Sequence, residues 1–181
     1  GRGPSKLLAP HGSGGAVARC LECRGARPLP RRARVRIRDV TTPRLTQSVA
    51  EAGHGGDPLV LLHGFTGAKE DFADVLDTFA DRGWHAIAPD HRGHGASDQP
   101  DDEDAYSFEE MADDTWALVD ALELGRVDLL GHSMGGMVAQ VMALAGADRL
   151  RSLVLMNTAG GRLEQLDPEV AGCREVPRRT G

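Results

Sequence analysis

The segment Val127-Asp128-Leu129-Leu130-Gly131-His132-Ser133-Met134-Gly135-Gly136 constrains this chain more than any other. Val127 to Leu130 reads as a short buried strand and Met134 to Ala145 as a helix, so the residues between them must turn sharply from one into the other. A serine at the centre of such a turn leaves little room for side chains two positions away, and Gly131 and Gly135 stand there. Ser133 Oγ then projects above the sheet at a helix N-terminus, where backbone N–H groups and the helix dipole stabilise developing negative charge. That makes Ser133 the candidate nucleophile. The plainer alternative is that both glycines only permit close strand–helix packing while Ser133 caps a helix.

A second motif weighs against that alternative. His63-Gly64-Phe65-Thr66-Gly67 directly follows the continuous apolar run Leu59 to Leu62, which suits a strand covered on both faces in a parallel sheet. An α/β sheet places its ligand crevice at such a strand end. The N–H groups of Phe65 and Met134 are therefore the candidate oxyanion hole. A third motif, Asp90-His91-Arg92-Gly93-His94-Gly95, follows the predicted strand Trp84 to Pro89.

On these three motifs, in this order and spacing, the chain resembles the α/β-hydrolase fold family over residues 34 to 165. The resemblance implies a serine esterase- or lipase-like enzyme acting on an ester, lactone or similar carbonyl substrate, its acid and histidine following the nucleophile. It gives His63, Gly64, Gly131 and Gly135 structural places in the motifs, and makes Asp90, Arg92, Gly93 and Gly95 a structural turn. His91 and His94 are alternatives as site-lining residues, although the family's base comes from elsewhere. Haloperoxidase and carbon–carbon hydrolase chemistry share the same fold.

The chain departs from the family's pattern after the nucleophile. Its seven histidines are His11, His54, His63, His85, His91, His94 and His132, and none follows Ser133. Without an imidazole to take its proton, a serine hydroxyl is a weak nucleophile near neutral pH. Asp148, Glu164, Asp167, Glu169 and Glu175 are acids beyond Ser133, but none follows a predicted strand, and Asn157 is a poor substitute. The expectation is a C-terminally truncated member, a core lacking its last strands and inactive as it stands. The alternative is a non-catalytic hydrolase-like binding module or remnant.

Elsewhere the pattern alternates strand and helix. Val35 to Val40 and Leu45 to Ala50 read as a hairpin, with a turn over Gly53 to Pro58. Phe72, Val75, Leu76, Phe79 and Ala80 recur at helical spacing up to Gly83. Ser107 opens a capping box with Glu110, and Phe108, Met111, Thr115, Val119 and Leu122 form the expected buried stripe of the helix that Gly125 ends. A last strand is expected over Leu153 to Met156, with its edge unprotected. The fold class is α/β, a mostly parallel sheet with flanking helices.

Composition enters through charge. Residues 1–38 hold ten Lys and Arg against one acid, while the remainder holds eleven against 26. The Gly/Pro/Arg-rich stretch 1–33 reads as a disordered basic arm, and 166–181 as the start of a cap or a non-native tail. The arm has no aromatic residue for base stacking, so no nucleic-acid partner is expected. Cys20 and Cys23, with His11 and Cys173 the only conceivable further ligands, do not make a zinc site. Gly131-His132-Ser133 lacks the G-x-G spacing of a dinucleotide site, and no metal or organic cofactor is expected. No apolar run approaches the roughly 18 residues of a membrane span. The expectation is a cytoplasmic protein with a small-molecule substrate and an oligomeric state that residues alone do not fix.

Overall fold

The computed structural model describes residues 35–160. The arm expected over 1–33, the tail over 166–181 and all three cysteines lie outside the described residues. Among the described residues six strands form one sheet: β1 (Arg36–Thr41), β2 (Thr46–Ala52), β3 (Asp57–Leu62), β4 (Trp84–Pro89), β5 (Val127–His132) and β6 (Leu150–Met156). Three helices connect them, α1 (Ala73–Asp81), α2 (Phe108–Ala121) and α3 (Met134–Gly146). The sheet order is β1-β2-β4-β3-β5-β6. β1 pairs antiparallel with β2 and β2 with β4, while β4, β3, β5 and β6 run parallel.

Strand β3 shows why the sheet is covered on both faces. Its side chains alternate, so Leu59 and Leu61 join Phe72 and Leu76 of the α1 side, while Val60 and Leu62 join Trp116, Val138 and Met142 of the α2–α3 side. Neighbouring strands β3 and β5 therefore send their connections to opposite faces, β3 to α1 and β5 to α3. Their loops part at the carboxyl end of the sheet and open a crevice there. Both site motifs, 63–67 and 131–136, lie at that opening.

Local signals set the helix limits. Ser107 Oγ accepts from the Glu110 N–H at 3.1 Å and caps α2. The stripe expected on α2 needs correction at its ends: Phe108 is 39% exposed and Leu122 only half-buried, whereas Asp114, Trp116 and Leu118 are buried. The reason is that α2 packs on two neighbours, with Trp116 in the cluster that holds α3 and Leu118 against Val40, Val49 and Ile87 of the sheet. A single-faced helix pattern cannot describe that wider arc. β3 also begins at Asp57, inside the turn expected over 53–58, and β6 begins at Leu150 rather than Leu153. Leu153, Val154, Leu155 and Met156 of this edge strand are exposed.

Candidate active site

Ser133 sits at φ +51° and ψ −117°, a backbone conformation that residues with a side chain rarely adopt. The surroundings hold it there. Its N–H donates to Met156 O at 3.0 Å, and its carbonyl accepts from Thr158 Oγ1 at 2.7 Å and from the Gly136 N–H at 3.0 Å. A side chain at Gly131 would put Cβ 2.6 Å from Gly136 Cα, and one at Gly135 would put Cβ 2.6 Å from the His63 carbonyl oxygen. Glycine is needed at both places because backbone meets backbone.

The 63–67 loop lies directly against this turn, since a Cβ at Gly64 would stand 3.3 Å from Ser133 Cβ. His63 is fully buried and both ring nitrogens are engaged: Nδ1 donates to Gly64 O at 2.7 Å, and Nε2 accepts from the His91 N–H at 3.1 Å. That pairing assigns the neutral tautomer, and burial pushes the imidazole below its ordinary range. Phe65, by contrast, is 71% exposed. Among the described residues neither the Phe65 nor the Met134 N–H is spent in a backbone hydrogen bond.

The 90–97 turn forms the next wall. Asp90 is fully buried and accepts from Lys69 Nζ at 2.6 Å, Lys69 N–H at 2.7 Å and Ala96 N–H at 2.9 Å. Burial raises its carboxyl, but those donors outweigh it and hold the group below the ordinary carboxylate range. Gly95 packs on the Asp90 carboxylate and Gly93 on the Tyr106 ring, both at positive φ. Arg92 donates to both carboxylate oxygens of Asp114, at 2.6 and 2.7 Å, tying the turn to α2. His91 is buried and both of its ring nitrogens lack a partner among the described residues, so burial, then His63 and His94, push it well below its ordinary range. His94 faces two carbonyl oxygens, Arg92 O through Nδ1 and Phe65 O through Nε2, each at 2.9 Å.

These parts enclose a cleft of about 600 Å³ over Ser133, walled chiefly by Phe65, Tyr106, Phe108, Met134 and Met137, with His94 at its side. Sequence reasoning missed Tyr106, Phe108 and Met137 as wall residues. Phe108 fits the period of the buried stripe, and nothing in a period says that the first turn of a helix overhangs a crevice. The signal that was present is the pair Met134 and Met137, which shares one face of α3.

Comparison with known proteins agrees with the architecture. The sequence model described as alpha/beta hydrolase fold matches residues 57–172, more than half of the chain. Epoxide hydrolase A of Mycobacterium tuberculosis is 32% identical over 68% of this chain and 38% of its own length. The non-heme chloroperoxidase CPO-A1 of Kitasatospora aureofaciens is 40% identical over 56% of this chain and 37% of its own. The crystal structure of epoxide hydrolase A from Mycobacterium thermoresistibile superposes with a TM-score of 0.68 at 30% identity, covering 76% of this chain and 43% of that one. The chain spans about two-fifths of the length of the relatives it matches. With motif order, sheet topology and these similarities in agreement, the chain belongs to the alpha/beta hydrolase fold family.

Proposed function

We propose that this chain carries the nucleophile and the oxyanion hole of a serine hydrolase for an ester, lactone or similar carbonyl substrate. The observation that supports the reading best is the backbone of Ser133, held at φ +51° by hydrogen bonds on both its N–H and its carbonyl, on the floor of an apolar cleft. Strain retained at such a point is a mark of a working site rather than of a helix cap. Ser133 Oγ attacks the substrate carbonyl carbon, the oxygen that becomes negative is received by the Phe65 N–H after β3 and the Met134 N–H at the head of α3, and collapse breaks the bond to the leaving alcohol's oxygen, leaving the acyl group on Ser133. The substrate is a small molecule, and in this fold's chain order the acid and base come after the nucleophile. No metal or organic cofactor enters the scheme.

The hydroxyl proton needs an acceptor. His63 has both ring nitrogens engaged, His94 turns both toward carbonyl oxygens and His91 is sealed from the cleft, so none of the three presents a free lone pair to Ser133. With no histidine after Ser133, this chain turns over substrate only with a base added from outside. Added imidazole is the test. Mass spectrometry is expected to find acyl groups from a nitrophenyl ester on Ser133, formed faster as imidazole is raised and absent from Ser133→Ala. Equal acylation of both proteins would overturn the reading and leave the second one, a hydrolase-like binding module, which the engaged histidines favour.

A further inference from the structure

We infer that the cleft over Ser133 selects acyl groups without negative charge, and that the acidic segment from Gly93 to Gly125 reinforces the choice. The inference deepens the proposed function and takes its chemistry from it, but the charge preference belongs to the cleft walls. Those walls are Phe65, Tyr106, Phe108, Met134 and Met137, and no lysine or arginine lines the cleft among the described residues. The cations of the surrounding turns are already spent. Arg92 is held by both oxygens of Asp114, and Lys69 is buried against Asp90. His94 lines the cleft with its two ring nitrogens turned to the Arg92 and Phe65 carbonyl oxygens, of which a neutral imidazole donates to one. With the ester oxygen taking the Phe65 and Met134 N–H groups, a carboxylate farther along the acyl chain loses its water and meets no lysine or arginine on these walls.

The rim adds a field of the same sign. From Gly93 to Gly125 the sequence holds eleven Asp and Glu and no Lys or Arg. Asp101, Glu103, Asp104 and Glu109 are exposed, have no cation partner among the described residues, and flank Tyr106 and Phe108 of the cleft wall. Desolvation in the cleft sets the larger part of the discrimination, and the rim adds a part that salt screens. A neutral apolar acyl chain meets neither cost.

A matched probe pair tests this without any chemistry at Ser133. N-Phenyl-1-naphthylamine is uncharged, and 1-anilinonaphthalene-8-sulfonate is the same skeleton with an anion. Binding is read as the fluorescence removed by Met137→Trp, which crowds the cleft wall, so signal from the exposed β6 edge cancels. The neutral probe is expected to bind at least tenfold more tightly, with the gap narrowing in high salt and in the surface variant Asp101→Lys/Glu103→Lys/Glu109→Lys. In a second arm, imidazole-assisted acylation of Ser133 by 4-nitrophenyl hexanoate is compared with the anionic 4-nitrophenyl hydrogen adipate, each normalised to its rate with imidazole alone. A deficit of about 100-fold for the adipate is expected. Equal binding of the two probes, tighter binding of the sulfonate, or no signal assignable to the cleft overturns the inference whatever Ser133 does. Probe preference without acylation of Ser133 by either ester overturns the proposed function and leaves the charge selection standing.

Discussion

Two glycine-containing turns flank strand β3 at the carboxyl end of the sheet, and they are held by opposite means. The turn after β4 is fastened by side chains: Asp90 on Lys69, Arg92 on Asp114, Ser97 Oγ on the Asp90 carbonyl at 2.8 Å. The turn after β5 is fastened chiefly by backbone, with Gly131 pressed on Gly136, Gly135 pressed on the His63 carbonyl, and one side-chain bond, from Thr158 Oγ1 to the Ser133 carbonyl. Side-chain fastening consumes the polar groups it uses, so Asp90 and Arg92 are unavailable for chemistry. Backbone fastening leaves Ser133 Oγ and the Met134 N–H unspent over the cleft. The difference explains how adjacent turns built from similar residues divide into a support and a candidate site.

Removing the charge that anchors the first turn is the harshest way to break the comparison. Asp90→Ala leaves the buried Lys69 ammonium with only the exposed Glu70 carboxylate, at 3.1 Å, and a loss of about 3 kcal/mol is expected in urea unfolding. The same pair carries a pH signature. The Asp90 carboxyl is depressed in the fold, so the stability it contributes is fully present above its unfolded value, near 4, and is lost as pH falls through its lower folded value. The gap between wild type and Asp90→Ala should therefore narrow below about pH 4.

Gly135→Ala attacks the second turn through backbone clash rather than charge. It should cost about 3 kcal/mol with no dependence on pH in that range, and a cost under about 1 kcal/mol would mean that backbone packing does not hold this turn. A milder change sharpens the first turn: Arg92→Lys keeps the charge but loses the two-pronged grip on Asp114, for about 1–2 kcal/mol by chemical denaturation. The smallest expected effect has the opposite sign. Ser133→Gly relieves the positive φ and should raise stability by about 1 kcal/mol while ending acylation, whereas a destabilised variant would show that Ser133 carries no strain.

Much of the fold was legible because its signals are local. The apolar run of β3, the capping serine of α2 and the glycine just past α1 each act within a few residues, whereas α2 ends at Ala121, before the expected Gly125, with Glu123 at positive φ. Strand β4 appears over the residues expected, Trp84–Pro89. The candidate serine was equally legible, since Gly131 and Gly135 report a turn that only small residues enter. What failed to show was everything that depends on a second neighbour: the wide buried arc of α2, and the turn of Phe108 from core to cleft wall.

By itself the sequence determined the order of elements, the sharp turn at Ser133 and the want of any histidine after it. Those follow from short-range sterics, from hydrophobic period and from a count. Only the tertiary structure decided that β3 and β5 leave the sheet on opposite faces, and so open the crevice that both motifs border. It also decided which polar groups are spent. The motif assigns Asp90 and Arg92 to a structural turn and leaves His94 as a site-lining alternative, but it names none of their partners, because a hydrogen bond needs a partner at about 3 Å and the partners come from loops and strands far apart in the chain.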